Sequence, residues 1–571
     1  MIRLALPLLA GALTAALATA CEPAFDCQAP VDADALELSG EGAGATMSSF
    51  CSAYTLGVEV DALIIHNTRI QRLQLPCLCG VTESLEITDN PELVDLSGLG
   101  RVRAIGGGLI VARNPKLESL TGLPVDAALG VSIDESSIVI EDNDALVDLA
   151  GLPDGGGELR GDLQIVGNER LASLSALPPG LMRVRGLRVA GNPALDDLGG
   201  LPRGLTSIGD GGLVLAENHG LRDLAGLPPG LASIDGPLVI HGNLALEQLA
   251  GVPAALVVVG ALEISASPLL RDLSGLSEGL QVAGLLEIRD DDGLVDLSGL
   301  PAGLQLGLDP ETGDSLRVQD NDALVDLAGL PADITALAGS ARIVANPDLV
   351  DLAGLFGHVR KIGGSLEIGE NHALVDLTGL PDDLQLGVDR LGLSFIIAGN
   401  QGLERLTGYP AGLAALPGGL AVLQNHGLPD LTGLELLRHV VGDLILGRRR
   451  IAELELPCTD PEALGGNEGM QTLSGLSALE RVDGNLAIAC NPALVALDAF
   501  ASLQSTGGSL TLRQNPALAD ITGLGGAAGS LTHVGGVYEL ECSPLVDPEA
   551  AVAVLDKVDA PVPTVLDLAC P

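Results

Sequence analysis

Apolar and polar positions along this chain follow two periods that hand over to each other about every two dozen residues. In GGSLEIGENHALVDLTGLP, residues 363–381, Leu366 and Ile368 are two apart, the spacing that sends both side chains to one face of a strand. Leu374, Leu377 and Leu380 then follow at threes, as in a tightly coiling segment that turns its leucines inward, and Gly379 and Pro381 punctuate the corner. The phrase returns twenty times, aligned on positions 67, 90, 114, 143, 168, 192, 218, 243, 267, 291, 321, 346, 371, 400, 425, 448, 467, 491, 515 and 543. A spacing mostly of 23 to 26 residues is too short for paired-helix repeats and predicts a β-solenoid or leucine-rich coil. The expected fold is therefore all-β or mostly β, with about 20 rungs stacked so that their strands pair in parallel around one Leu/Ile core.

Two polar columns accompany the leucines. The aligned position is Asn at 67, Asn90, Asn114, Asn143, Asn168, Asn192, Asn218, Asn243, Asn321, Asn346, Asn371, Asn400, 425, 467, 491 and 515, replaced by Ser267, Asp291, Arg448 and Ser543. Asn tolerates left-handed backbone and its amide both donates and accepts, so a buried Asn column is expected to satisfy the backbone groups left over where each strand ends. Five residues later stands Asp, at 95, 148, 197, 223, 272, 296, 326, 351, 376, 430 and 520. Carboxylates stacked about 4.8 Å apart repel by roughly 1 kcal/mol per pair in water, so something must offset them. Either each Asp caps the turn after it, the usual Asx habit, or the column collects Ca²⁺ or a cationic partner. For the second reading the candidates are Asp290, Asp291, Asp292, Asp296 and Asp326.

Three rungs carry insertions with related beginnings, LGVSIDESS at 129–137, LGLDPETGD at 306–314 and LGVDRLGLS at 386–394. Insertions of this kind emerge on one edge of a solenoid and often form its recognition rim. The candidate rim residues are Asp134, Glu135, Asp309, Glu311, Asp314, Asp389 and Arg390.

The ends read differently. Arg3, the apolar stretch Leu4 to Leu17 and Ala18-Thr19-Ala20 before Cys21 have the form of a secretory signal, residues 1–20. The segment resembles a bacterial lipoprotein signal, with Cys21 as the lipid-bearing residue; a soluble secreted protein is the alternative. Of nine cysteines, Cys21 to lipid leaves Cys27, Cys51, Cys77, Cys79, Cys458, Cys490, Cys542 and Cys570, an even set that can pair. The expected bridges are Cys458 with Cys490, Cys542 with Cys570, and the first four among themselves. Residues 21–55 lack the phrase and form an N-terminal cap, followed by a solenoid over 56–447. A near-duplicate of IQRLQLPC (70–77) at 451–458, IAELELPC, marks a second smaller block over 448–545. Over 546–571, Asp547-Pro548-Glu549 is a helix start and predicts a short capping helix.

With 29 Lys plus Arg against 75 Asp plus Glu, the net charge of −46 argues against nucleic acid or an anionic membrane surface as a partner. The membrane enters only through a lipid on Cys21. The segments G-x-L-x-I-x-x-N-P-x-L-x-x-L-x-G-L at 106–122, 484–500 in part and 508–524 resemble the receptor L-domain branch of the leucine-rich superfamily. The resemblance runs over roughly 55–545 and implies a right-handed solenoid closed by disulfides; the spacing N-x-x-L departs from the N-x-L of ordinary leucine-rich repeats. No catalytic motif stands out, no cofactor is implied beyond Ca²⁺, and Trp is absent with only three Tyr and five Phe. The expected function is an exported, non-enzymatic binding, adhesion or envelope-organising lipoprotein at the outer membrane or cell surface, with a protein or polysaccharide ligand. The alternatives are a secreted polysaccharide-active solenoid enzyme and a calcium-stiffened structural surface protein.

Overall fold

A computed structural model describes residues 27, 31–54, 57–254, 256–258, 260–447, 466–525, 529–559 and 564–568. The chain winds as a parallel β-solenoid of about 20 turns. Each turn adds one strand to a main sheet that begins at Leu36–Gly40 and ends at Thr564–Asp567. Each strand pairs in parallel with the one a turn before and the one a turn after, as in Leu238↔Leu262↔Leu286. Among the described pairings the two end strands do not meet, so the sheet is an open ladder. A second, interrupted sheet runs beside it from strands of mostly two residues, such as Lys361–Ile362 and Gln385–Leu386.

The sequence explains each part of a turn. Leu366 and Ile368 point inward from one strand and are fully buried, and Leu374, Leu377 and Leu380 follow them into the same core. That core is a single cluster running from Leu36 to Val558. Each buried Leu contributes about 1.5–3 kcal/mol, but only once the neighbouring turn covers it, so stability is shared between neighbours. Gly379 sits at φ +109°, where a Cβ would lie 2.3 Å from the backbone N of Ala353 in the turn below. No side chain fits that corner.

The turn after the strand differs from expectation in one respect. Apart from Asn67, the left-handed residue is not the Asn but the one before it, as at Asp89, Asp290, Ala345 and Glu370, or a glycine such as Gly399. This bend swings the Asn side chain inward, where a ladder forms. Asn371 Oδ1 accepts the backbone N–H of Asn346 at 3.1 Å, and its Nδ2 donates to the carbonyl of Ile343 in the same preceding turn at 2.9 Å. The column from Asn90 to Asn515 is fully buried. Asn425 N–H donates to Asn467 Oδ1 at 3.0 Å, and Asn491 Nδ2 reaches the carbonyl of Leu446 at 3.1 Å. Leu444–Gly447 and Asn467 therefore belong to one turn, although the phrase aligns on both 448 and 467; the main sheet passes in register from Leu420 to Leu444 to Leu486. Arg448 and Cys458 lie outside the described residues, as do Cys21 and Cys570.

At the first turns, helix Ala43–Ala53 covers the open end of the core through Ala43 and Met47. Disulfides Cys27–Cys79 and Cys51–Cys77 pin this cap to the second sheet. Cys490 is disulfide-bonded and Cys542 is buried. At the far end Asp547 caps helix Pro548–Lys557, which buries Ala551 and Val554. Among the described residues no helix is long and apolar enough to cross a membrane.

Candidate functional site

Every member of the Asp column is engaged by its own turn. Asp95 Oδ1 accepts from Ser97 N–H at 2.7 Å, Asp223 from Ala225 at 2.8 Å, Asp351 from Ala353 at 2.8 Å and Asp520 from Thr522 at 2.8 Å. Asp296 and Asp326, candidates for cation binding, make the same bond to Ser298 and Ala328, each at 2.8 Å. The backbone N–H of Ser97 holds the Asp95 carboxyl below its ordinary range, and the Thr522 hydroxyl does the same for Asp520. Local N–H donors thus offset the stacked charge.

The three consecutive carboxylates at 290–292 diverge. Asp291 turns into the ladder and is fully buried, whereas Asp290 and Asp292 line an open acidic groove of about 530 Å³ with Arg289, Asp320, Asp322, Glu370 and His372. Burial, then Asp322 and Asp290, push the Asp292 carboxyl up. Among the described residues no three His, Cys, Asp or Glu side chains converge in a way that could hold a metal ion.

The three insertions are one device used three times. Each leaves the second-sheet side of the turn at a glycine laid against the turn below: Gly130 N–H donates to Gly107, Gly307 to Gly284 and Gly387 to Gly364, each at 3.0 Å. A Cβ at these glycines would come within 1.6–1.8 Å of a backbone oxygen. A serine at the start of the returning strand closes the loop, Ser137 onto Gly130 at 2.8 Å and Ser394 onto Gly387 at 2.6 Å, with Ser315 onto Gly307 likewise. Asp309 and Asp389 fold the loops from within, accepting from the N–H of Glu311 at 2.7 Å and of Leu391 at 2.8 Å.

Five of the seven candidate rim residues come together. Arg390 crosses from its own loop to the carbonyls of Pro310, at 2.5 Å, and Glu311, tying two loops that rise three turns apart. Asp314 lies fully buried at the foot of the same pair. Asp134 and Glu135 stand on the third loop, seven turns earlier or roughly 34 Å away along the stack. There Glu135 pairs with Arg185 at 2.5 Å. All three loops carry exposed apolar residues near their tips: Ile133 is 97% exposed, Leu391 71% and Leu308 43%.

A feature missed in the sequence lies on the outward face of the main sheet. His241 bonds Ser265 at 2.9 Å, and Ser265 donates to Glu263 at 2.9 Å. Arg289 joins Glu263 at 3.5 Å to Glu287 at 3.8 Å, and Arg317 joins Glu287 at 3.4 Å to Asp314 at 2.7 Å. Arg342 continues from Asp314 at 2.9 Å to Glu367. The result is a half-buried polar band across six consecutive strands, ending beside the two joined loops. Burial opposes the charge on Arg342, but Glu367 and Asp314 outweigh it and raise its pKa. The signal was the residue between the two inward apolar residues of each strand, which reads Glu263, Glu287, Arg317, Arg342 and Glu367 here. On either side the same position is mostly apolar, as at Val214, Val239, Ile396 and Ile445.

No family model and no curated protein matches this chain. Among solved structures it is similar to TLR13 in a TLR13–ssRNA13 complex, at 15% sequence identity over 94% of this chain and 84% of that one, with a TM-score of 0.18. At that score the likeness carries no argument.

Proposed function

We propose that this chain is an exported, non-enzymatic binding rod that engages a protein through its three insertion loops. The observation that carries the reading is the build of those loops. Each is closed at its base by glycine, serine and backbone bonds, and each presents exposed aliphatic side chains beside carboxylates, at Ile133 with Asp134 and Leu391 with Asp389. Apolar tips with acidic shoulders suit a partner surface that has an apolar patch bordered by Arg or Lys. Sugar surfaces are less suited, because carbohydrate is commonly held on Trp and Tyr faces, and these are scarce here. An enzyme finds little support on the polar band, where Ser265 beside His241 is fully buried and its hydroxyl is taken by Glu263.

Export accords with the disulfides at the N-terminal cap, which persist in oxidising compartments. Lipid on Cys21 would hold the rod at a membrane by its N-terminal end.

The test places a photo-crosslinking residue at Leu391, at Ile133 and, as a control, at the exposed Val350 on the Asp edge, in the chain displayed by its producing cells. Protein adducts at the first two positions that are absent at Val350, with those at Leu391 lost when Arg390→Glu unties its loop from the loop at 306–314, support the reading. Equal adducts at all three, or binding on a glycan array that persists in Leu391→Ser, contradict it.

A further inference from the structure

The Asn ladder is interrupted at one place in a way that sets a chemical requirement. In an intact turn the amide works on both sides. Asn346 Oδ1 receives the N–H of Asn321 at 3.3 Å, and its Nδ2 gives to the carbonyls of Val318, in the turn before, at 3.0 Å and of Val344 at 3.1 Å. Asn321 does the same towards Ile288 and Gln319. Asp291 occupies the equivalent position. Its Oδ1 receives the N–H of Ser267 at 2.8 Å, and its own N–H goes to Asn321 Oδ1 at 3.1 Å, so the acceptor half of the ladder is intact. The donor half is not: Oδ2 is buried, has no hydrogen-bond partner among the described residues, and stands where an amide nitrogen would serve the carbonyls of Ile264 and Arg289.

An ionised oxygen at that place faces carbonyl oxygens with no donor among the described residues, and a buried charge so placed is among the costliest arrangements in a protein. A protonated oxygen becomes an O–H donor and restores the missing bond. The charged neighbours favour the proton as well. Asp290 and Asp292 flank the residue, Asp320 and Asp322 stand on the following turn along the same groove, and the preceding turn offers the neutral Ser265 and Ser267. Arg289 is the nearby cation, and it is shared with Glu263 and Glu287.

We propose that Asp291 is held as the neutral acid in the folded rod, its O–H replacing the Asn amide, so that the turns around Ser267, Asp291 and Asn321 form a pH-sensitive joint that loosens when this proton leaves. Burial first, and then Asp290 and Asp292, raise the carboxyl from 3.8 to about 7. A carboxyl raised on folding binds its proton more tightly in the folded state. Its contribution is therefore complete below pH 3.8, is lost progressively as pH rises towards 7, and is constant above that.

The test is site-resolved hydrogen exchange on the full chain from pH 4 to pH 8, corrected for intrinsic rates. Protection at the N–H of Ser267 and Asp291 is expected to fall by about tenfold per pH unit between pH 4 and 7 relative to Asn346 and Asn371, then level off. Asp291→Asn is expected to remove that slope and protect these amides more than the native residue does at pH 8. Asp291→Leu, which cannot titrate and cannot donate, is expected to give low and flat protection. Isotope-edited infrared spectra at pH 6 should show the carbonyl stretch of a buried carboxylic acid that Asp291→Asn lacks. The same pH slope in Asp291→Asn as in the native chain, or no such stretch, overturns the proposal.

Discussion

Replacing Asn371 by Leu isolates what the ladder contributes. The two side chains have the same number of heavy atoms and the same branching, so the change opens no cavity; it removes hydrogen bonds. The N–H of Asn346, which now donates to Asn371 Oδ1 at 3.1 Å, is left buried without an acceptor, at a cost of about 1–3 kcal/mol. The carbonyl of Ile343 loses the amide bond at 2.9 Å, worth about 0.5–1.5 kcal/mol net. Asn346 Nδ2 keeps its bonds to Val318 and Val344, so the damage stays at one interface. The sum is about 2–4 kcal/mol, which corresponds to roughly 30- to 1,000-fold faster exchange of amides that open with that interface. Because turns depend on their neighbours, hydrogen exchange resolved along the chain is the informative assay. Amides over 340–374 should lose protection while those near Asn168 keep it. Unchanged protection at Asn346, with the variant folded, would refute the account of the ladder.

Three further outcomes follow from the geometry. The carboxyls of Asp95 and Asp520 titrate below 3.8 because local donors hold them ionised, so the stability they add is present above the unfolded value and is lost as pH falls through the folded one; NMR titration should place both midpoints under that of a free Asp. Opening the Cys51–Cys77 bridge, with a sequence separation of 26, by Cys51→Ala with Cys77→Ala should destabilise the N-terminal turns by about 2–5 kcal/mol, read as early exchange over 58–68 with the later turns unaffected. Arg342→Met removes the cation that the largely buried Glu367 shares with Asp314, while Arg317 stays on Asp314, and should cost about 1.5–3 kcal/mol in chemical denaturation, much of it recovered when Glu367→Gln is added.

The stack was legible because its grammar is local. Leu366 and Ile368 two apart, leucines at threes and a recurring Asn fix the strand, the coil and the inward column without knowledge of any distant partner. The related LG beginnings of the insertions were legible for the same reason, since Gly130, Gly307 and Gly387 meet the turn below in the same way. What the sequence hid depends on neighbours one turn away. The outward position between Leu and Ile varies freely, and nothing within a single turn shows that Arg342 meets both Asp314 and Glu367. Likewise the left-handed residue before the Asn is Asp, Glu, Arg, Ala, Gln, Cys or Gly, because the ladder and not the residue type holds that backbone. The alignment of 448 and 467 as separate rungs shows the limit of periodic reading: the strand Leu444–Gly447 and Asn467 belong to one turn.

The central claim, that each repeat adds one parallel turn to a single stack, is most directly tested by distances between spin labels at equivalent exposed positions. Labels at Val147 paired with Val295, Val375 or Val495, each partly exposed beside the Asp column, are separated by six, nine and thirteen turns. At about 4.8 Å per turn the measured distances should be roughly 29, 43 and 62 Å. Distances that fail to grow with the number of turns would contradict the stack.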